Sequence, residues 1–243
     1  MCHSSDSRPP APPNPGPVAE HGPLTLTAAD GNTFQAYAAV PGEPAGRGIV
    51  ILPDVRGLHP YYKALAERFA EAGYHAVAID YFGRTADTDV RDDDFDFKPH
   101  VAALKQEHVV ADATAAIAVL RQHTDGPLFS VGFCMGGARS WMLGAADLGL
   151  SGVIGFYSTL RHYDWDLTGR ITVPVLGLLG GADPATTPEQ YDQFAAALPS
   201  GTPFERHTYD GAPHSFFDRA YGDWQEACAD SWRRILDFSA RVA

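Results

Sequence analysis

The sequence predicts a doubly wound α/β fold, a mostly parallel sheet with helices on both faces, and three observations carry that prediction. Short apolar runs alternate with stretches of helical spacing from about residue 48 to the C-terminus. Runs such as Gly48-Ile49-Val50-Ile51-Leu52 are apolar at successive positions rather than at every second one, as in a strand buried on both faces. A chain of 243 residues that is 45% hydrophobic and 20% charged can also fill a sizeable core.

Taken in order, the segment before Pro23 is rich in proline, with Arg8-Pro9-Pro10-Ala11-Pro12-Pro13-Asn14-Pro15-Gly16-Pro17 at its centre. It lacks backbone donors and apolar side chains, so residues 1–23 are expected to be a disordered tail, with one domain over 24–243. Leu24–Thr27 and Thr33–Ala38 read as two strands about Ala29-Asp30-Gly31-Asn32, whose Asp-Gly and Asn tolerate the positive φ of a tight turn. After the strand Gly48–Leu52, residues Tyr62–Ala72 carry helical spacing that Gly73 ends. The alternation continues with strand His75–Ile79, helix Glu107–Gln122, strand Leu128–Phe133, a helix after Met135 and strand Gly152–Phe156. Strand Val173–Leu179, helix Pro188–Leu198, strand Phe204–Tyr209 and helix Trp224–Val242 complete it. A sheet of this kind binds its ligands at the carboxyl ends of its strands.

Charge and cysteine usage narrow the partners. The 18 basic residues stand against 30 acidic ones, and the formal charge of −12 would repel a nucleic-acid backbone. No apolar run approaches the roughly 18 to 20 residues that span a bilayer, and the start has no secretory apolar region. The expectation is a cytoplasmic protein with no nucleic-acid or membrane partner, a monomer or small homo-oligomer. Cys2, Cys134 and Cys228 are too few and too scattered to staple a fold. No His-Glu-x-x-His or paired-cysteine spacing points to a metal, and none is expected; nor is any cofactor.

The most informative residues are Gly132-Phe133-Cys134-Met135-Gly136-Gly137, directly after the apolar run Leu128-Phe129-Ser130-Val131. This is a strand-to-helix elbow with cysteine in the nucleophile position, and its flanking glycines let the chain turn sharply. Cys134 would sit alone at a helix N-terminus, where unpaired N–H groups favour a thiolate. A nucleophile of this kind needs a base and a group that orients the base. Asp183 follows the strand ending at Leu179, in Gly180-Gly181-Ala182-Asp183-Pro184, and His214 follows the strand ending near Tyr209, in Ala212-Pro213-His214-Ser215-Phe216. Nucleophile, acid and histidine thus come in the chain order of an α/β-hydrolase.

On these motifs, at these spacings, the chain from about Leu24 onward resembles the dienelactone hydrolase family, the carboxymethylenebutenolidase-like branch of the α/β-hydrolase fold. The resemblance implies that Cys134 is the nucleophile, His214 the general base and acid, and Asp183 its orienting carboxylate. It further implies an oxyanion hole from the Met135 and Val55 backbone N–H groups. Where the family has a glutamate that contacts the resting thiol, this chain has Asp54, in Pro53-Asp54-Val55-Arg56-Gly57. Arg84 matches one of the family's substrate-carboxylate contacts; the other position holds Asp218, with Arg219 one residue on. Ser215 and Trp165 are further expected at the substrate, while the acidic run Asp87–Asp96 reads as a solvated loop at the rim. The implied activity is cofactor-independent hydrolysis of a small-molecule lactone or activated enol or aryl ester through a thioester. A thioesterase or acyltransferase of the same fold, or a non-catalytic ligand-binding or redox-sensing protein, would carry the same elbow.

Overall fold

In the computed structural model, residues 7–161, 163–218 and 220–242 are described. Eight strands form one sheet: β1 (Val18–Thr27), β2 (Thr33–Pro41), β3 (Arg47–Leu52), β4 (Tyr74–Ile79), β5 (Leu128–Phe133), β6 (Leu150–Phe156), β7 (Val175–Gly180) and β8 (Phe204–Tyr209). Their order across the sheet is β1-β2-β4-β3-β5-β6-β7-β8. β1 and β2 form an antiparallel hairpin, β2 runs antiparallel to β4, and every other neighbouring pair is parallel. The helices are α1 (Pro60–Glu71), α2 (Lys98–Ala103), α3 (Gln106–Leu120), α4 (Met135–Leu143), α5 (Pro188–Ala197) and α6 (Gln225–Arg241), with a 3-10 helix at Trp165–Arg170.

The apolar runs are explained by helices on both sides. Successive strand residues point to opposite faces, so Ile49 and Ile51 of β3 pack with α1 and α6, while Val50 and Leu52 pack with α3 and α4. β4 and β5 follow the same rule, and all six residues of each are buried. The central strands are therefore fixed with their carboxyl ends at one edge.

The proline-rich segment is not the tail expected over residues 1–23. Its described part packs on α1 and α6: Trp232 donates its indole N–H to Pro10 O at 3.1 Å, and Gly16 N–H reaches Glu71 O at 2.8 Å. Prolines lack donors but keep their carbonyls, and these carbonyls accept from the helices. Pro9, Pro10 and Pro12 are buried, and β1 begins at Val18, six residues before the expected domain start. Pro23 is tolerated there because β1 is an edge strand.

The acidic run is a largely exposed loop, as expected, but it is anchored at one buried residue. Arg91 is buried and grips Asp80, at the end of β4, with Nε and Nη2 at 3.2 and 2.7 Å. Asp93 pairs with the buried Arg56 in the loop after β3. α2 and the 3-10 helix, each six residues long, are too short to carry a periodicity that sequence reading could use.

Candidate active site

The elbow between β5 and α4 puts Cys134 at φ 56°, ψ −117°, a backbone conformation that costs a non-glycine residue about 1–3 kcal/mol. Its surroundings leave no alternative to glycine at two positions. A Cβ on Gly132 would stand 1.9 Å from Gly136 O, and one on Gly136 would stand 2.1 Å from Pro53 O and 2.2 Å from Leu52 O. The start of α4 thus lies directly on the end of β3. Cys134 is further held by backbone bonds, donating to Phe156 O at 3.1 Å and accepting from Thr159 N–H at 3.0 Å.

Asp183 leaves the sheet after β7 and is nearly fully buried. Its Oδ1 accepts the Ala185 N–H at 2.8 Å and its Oδ2 lies 2.7 Å from His214 Nδ1. The carboxylate is held by its own turn and aims its second oxygen at the imidazole, an arrangement that favours the tautomer with the proton on Nδ1. His214, about one-fifth exposed, also packs against the Tyr157 ring, whose hydroxyl donates to the buried Asp218 at 2.7 Å.

A cavity of about 960 Å³ opens at this edge and is lined by Cys134, His214, Val55 and Met135 together with residues of α2 and α4. Met135 is the first residue of α4, so its N–H has no carbonyl one turn earlier to bond. The Cys134 Sγ lies 3.5 Å from Thr159 Oγ1, a neighbour that the sequence did not reveal. Thr159 lies just beyond β6, a position that becomes visible only once β5 and β6 pair in register.

The remaining expected site residues are scattered. Asp54 is fully buried, its Oδ1 accepting the Arg56 N–H at 2.9 Å. Arg84 is engaged by Asp112 at 2.6 Å and Asp30 at 2.8 Å, and does not line the cavity. The two carboxylates of the hairpin turn and α3 occupy the guanidinium, which removes the substrate contact expected of it. Ser215 is buried at φ 65° in the turn after His214, outside the cavity lining. Trp165 packs edge-on against Tyr163, their centroids 5.2 Å apart, and is likewise not a lining residue. Arg219 lies outside the described residues. Among the described residues no cluster of potential metal ligands is present, and no helix is long and apolar enough to cross a membrane.

A family model for the dienelactone hydrolase family matches residues 34–243. A protein of Saccharolobus solfataricus named for carboxymethylenebutenolidase activity is 26% identical over 88% of this chain and 96% of its own length. Another so named, from Salmonella typhimurium, is 27% identical over 90% of this chain and 86% of its own. Among solved structures, one from Klebsiella pneumoniae, named as a dienelactone hydrolase, superposes with a TM-score of 0.74 at 26% identity, covering 90% of this chain and 99% of that one.

Proposed function

The chain belongs to the dienelactone hydrolase family, whose members it resembles as a hydrolase acting on esters, and from that premise we propose that it cleaves lactones or activated esters through a thioester on Cys134. The observation that carries this reading is the 2.7 Å Asp183–His214 contact at the same cavity as the strained Cys134 elbow. Strain of this kind persists where the surrounding structure over-determines it, and here it presents a sulfur to a cavity.

In the proposed reaction the sulfur attacks the ester carbonyl, and the developing oxyanion is received by the Val55 and Met135 N–H groups. His214 takes the thiol proton and delivers it to the departing oxygen, so the alcohol or enol leaves neutral and Cys134 is acylated. Water then attacks the thioester with His214 as base, releasing the acid and restoring the thiol. Asp183 holds the imidazole in the required tautomer throughout. Enol and aryl esters suit this route, because the intermediate must expel the oxygen leaving group in preference to the thiolate; alkyl esters should be poor substrates.

Cys134→Ala should fold normally and lose at least three orders of magnitude in kcat/KM for an aryl acetate. Mass spectrometry of the wild-type protein, quenched during turnover, should find one acyl group on Cys134. A variant retaining more than a tenth of the activity would exclude the thioester route.

A further inference from the structure

One wall of the cavity carries a charge that the proposed chemistry does not use. Met135, Ala138, Arg139 and Met142 recur at the i, i+3, i+4, i+7 spacing of a single α4 face, and all four line the cavity. Three of them are small or apolar; the fourth is an arginine only 9% exposed. Its described partners are neutral: Nη1 donates to Gln106 Oε1 at 3.2 Å and Nη2 to Leu104 O at 3.4 Å. Among the described residues no carboxylate stands within ion-pair distance of it. Burial pushes its pKa below the usual guanidinium value, yet an arginine keeps its charge in proteins.

The wider lining has the same sign. Lys98 and Arg161 join Arg139, against Asp164 as the lone carboxylate, in a chain whose net charge is −12. The rest of the α2 side is apolar, with Phe97, Val101, Ala102 and Leu104. Asp164 acts on Arg139 only from beyond ion-pair distance, and a buried cation with no carboxylate in contact is costly unless an anion approaches it.

Topology says which part of a substrate bears that anion. The departing oxygen must face His214, which comes from the β8 side of β5, whereas Leu104 and Gln106 hold Arg139 from the α2–α3 side. Arg139 is also five residues along α4 from Cys134, roughly 7.5 Å of helix rise. The Arg139 backbone therefore stands more than one helical turn from the elbow, and its guanidinium is held on the side of the cavity away from His214, where the acyl part of a substrate would lie.

We propose that Arg139 determines specificity by binding a carboxylate at the far end of an otherwise apolar acyl group, with Gln106 holding the guanidinium in place. The inference rests on the ester-hydrolase reading above for its orientation of the substrate. Its substrate class is an ester or lactone whose acyl part is amphipathic, apolar beside Met135 and Met142 and anionic at its tip.

The test compares chain-matched 4-nitrophenyl esters, octanoate against the suberate half-ester and hexanoate against the adipate half-ester. In the wild-type protein kcat/KM should favour the carboxylated member of at least one pair. In Arg139→Met the carboxylated-to-neutral ratio should fall at least tenfold, and Arg139→Lys should give an intermediate ratio. Should the Met variant not fold, the ratio in Arg139→Lys decides. Calorimetric binding of the same esters to Cys134→Ala, with and without the Arg139 substitution, reads the anion site without turnover. Discrimination in binding without wild-type hydrolysis would overturn the hydrolase reading and leave the anion site standing. Hydrolysis of both members with a ratio indifferent to Arg139, or no wild-type preference in either pair, would overturn the inference.

Discussion

At Gly136 a single hydrogen decides whether the elbow can exist. A Cβ there would lie 2.1 Å from Pro53 O, and that carbonyl cannot retreat because Tyr81 donates its hydroxyl to it at 2.9 Å. Gly136→Ala must instead push α4 away from the end of β3, which moves Met135 relative to Val55. The expected outcome is a loss of several kcal/mol in urea unfolding and a fall in kcat of at least a hundredfold. Gly211→Ala, at φ 72° but with only a tryptophan ring edge 3.6 Å away, serves as a control with backbone strain and no clash. A Gly136→Ala variant as active as this control would show that the close approach has no catalytic consequence. Residues of this kind were legible in the sequence because the elbow imposes its glycines locally. Arg139 and Thr159 were not, since the partners that give them meaning come from α2, α3 and β6. Arg84 misled for the same reason: its motif match is local, but Asp30 and Asp112, which occupy it, are 54 and 28 residues away.

The elements show where pattern reading succeeds and where it stops. β3, β4 and β5 were visible because burial on both faces makes nearly every position apolar; the helix expected over Pro188–Leu198 is α5, and the structure shows its start closed by a Thr187–Gln190 capping box. The segment from Asp87 to Asp96 is the exposed loop its composition suggests, but composition did not reveal that one arginine anchors it. Arg91 places two N–H groups on Asp80 and lays its guanidinium 4.4 Å from the Phe95 ring centroid. Asp80 also accepts the Leu58 N–H at 3.2 Å, so the same carboxylate steadies the loop that carries Val55. Arg91→Met would leave Asp80 buried without its cation, a loss of about 3–5 kcal/mol by analogy with other broken buried pairs. Limited proteolysis should then cut between residues 87 and 97 markedly faster than in the wild-type protein. Adding Asp80→Asn should recover part of the urea midpoint, because the stranded charge is removed. A double variant less stable than Arg91→Met by the full cost of Asp80→Asn alone would show that the two residues are not coupled.

At the scale of the whole molecule, stability should respond to acid through His59, which is fully buried at the start of α1. Its Nδ1 accepts the Tyr61 N–H at 3.1 Å, so the ring caps α1 only while that nitrogen keeps its lone pair. Burial, reinforced by the nearby Arg56 charge and opposed by Asp93, lowers its pKa from the ordinary 6.5 to about 4. Between those values the unfolded chain holds the proton and the folded chain does not, so stability rises with pH across the window. The contribution is complete above about pH 6.5, is lost as the pH falls toward 4, and levels off below. A displacement of this size corresponds to about 3 kcal/mol. Other groups titrate over the same range, including His75 and His207, whose values burial also lowers, so the wild-type curve alone does not isolate His59. His59→Asn separates them, since asparagine also caps a helix N-terminus but carries no titrating group. The smaller side chain should lower stability at pH 7.5, and that deficit should shrink steadily as the pH is brought to 4. Urea unfolding at half-unit intervals measures the difference between the two curves. A deficit of constant size across the window would mean that His59 is not what ties the folded state to neutral pH.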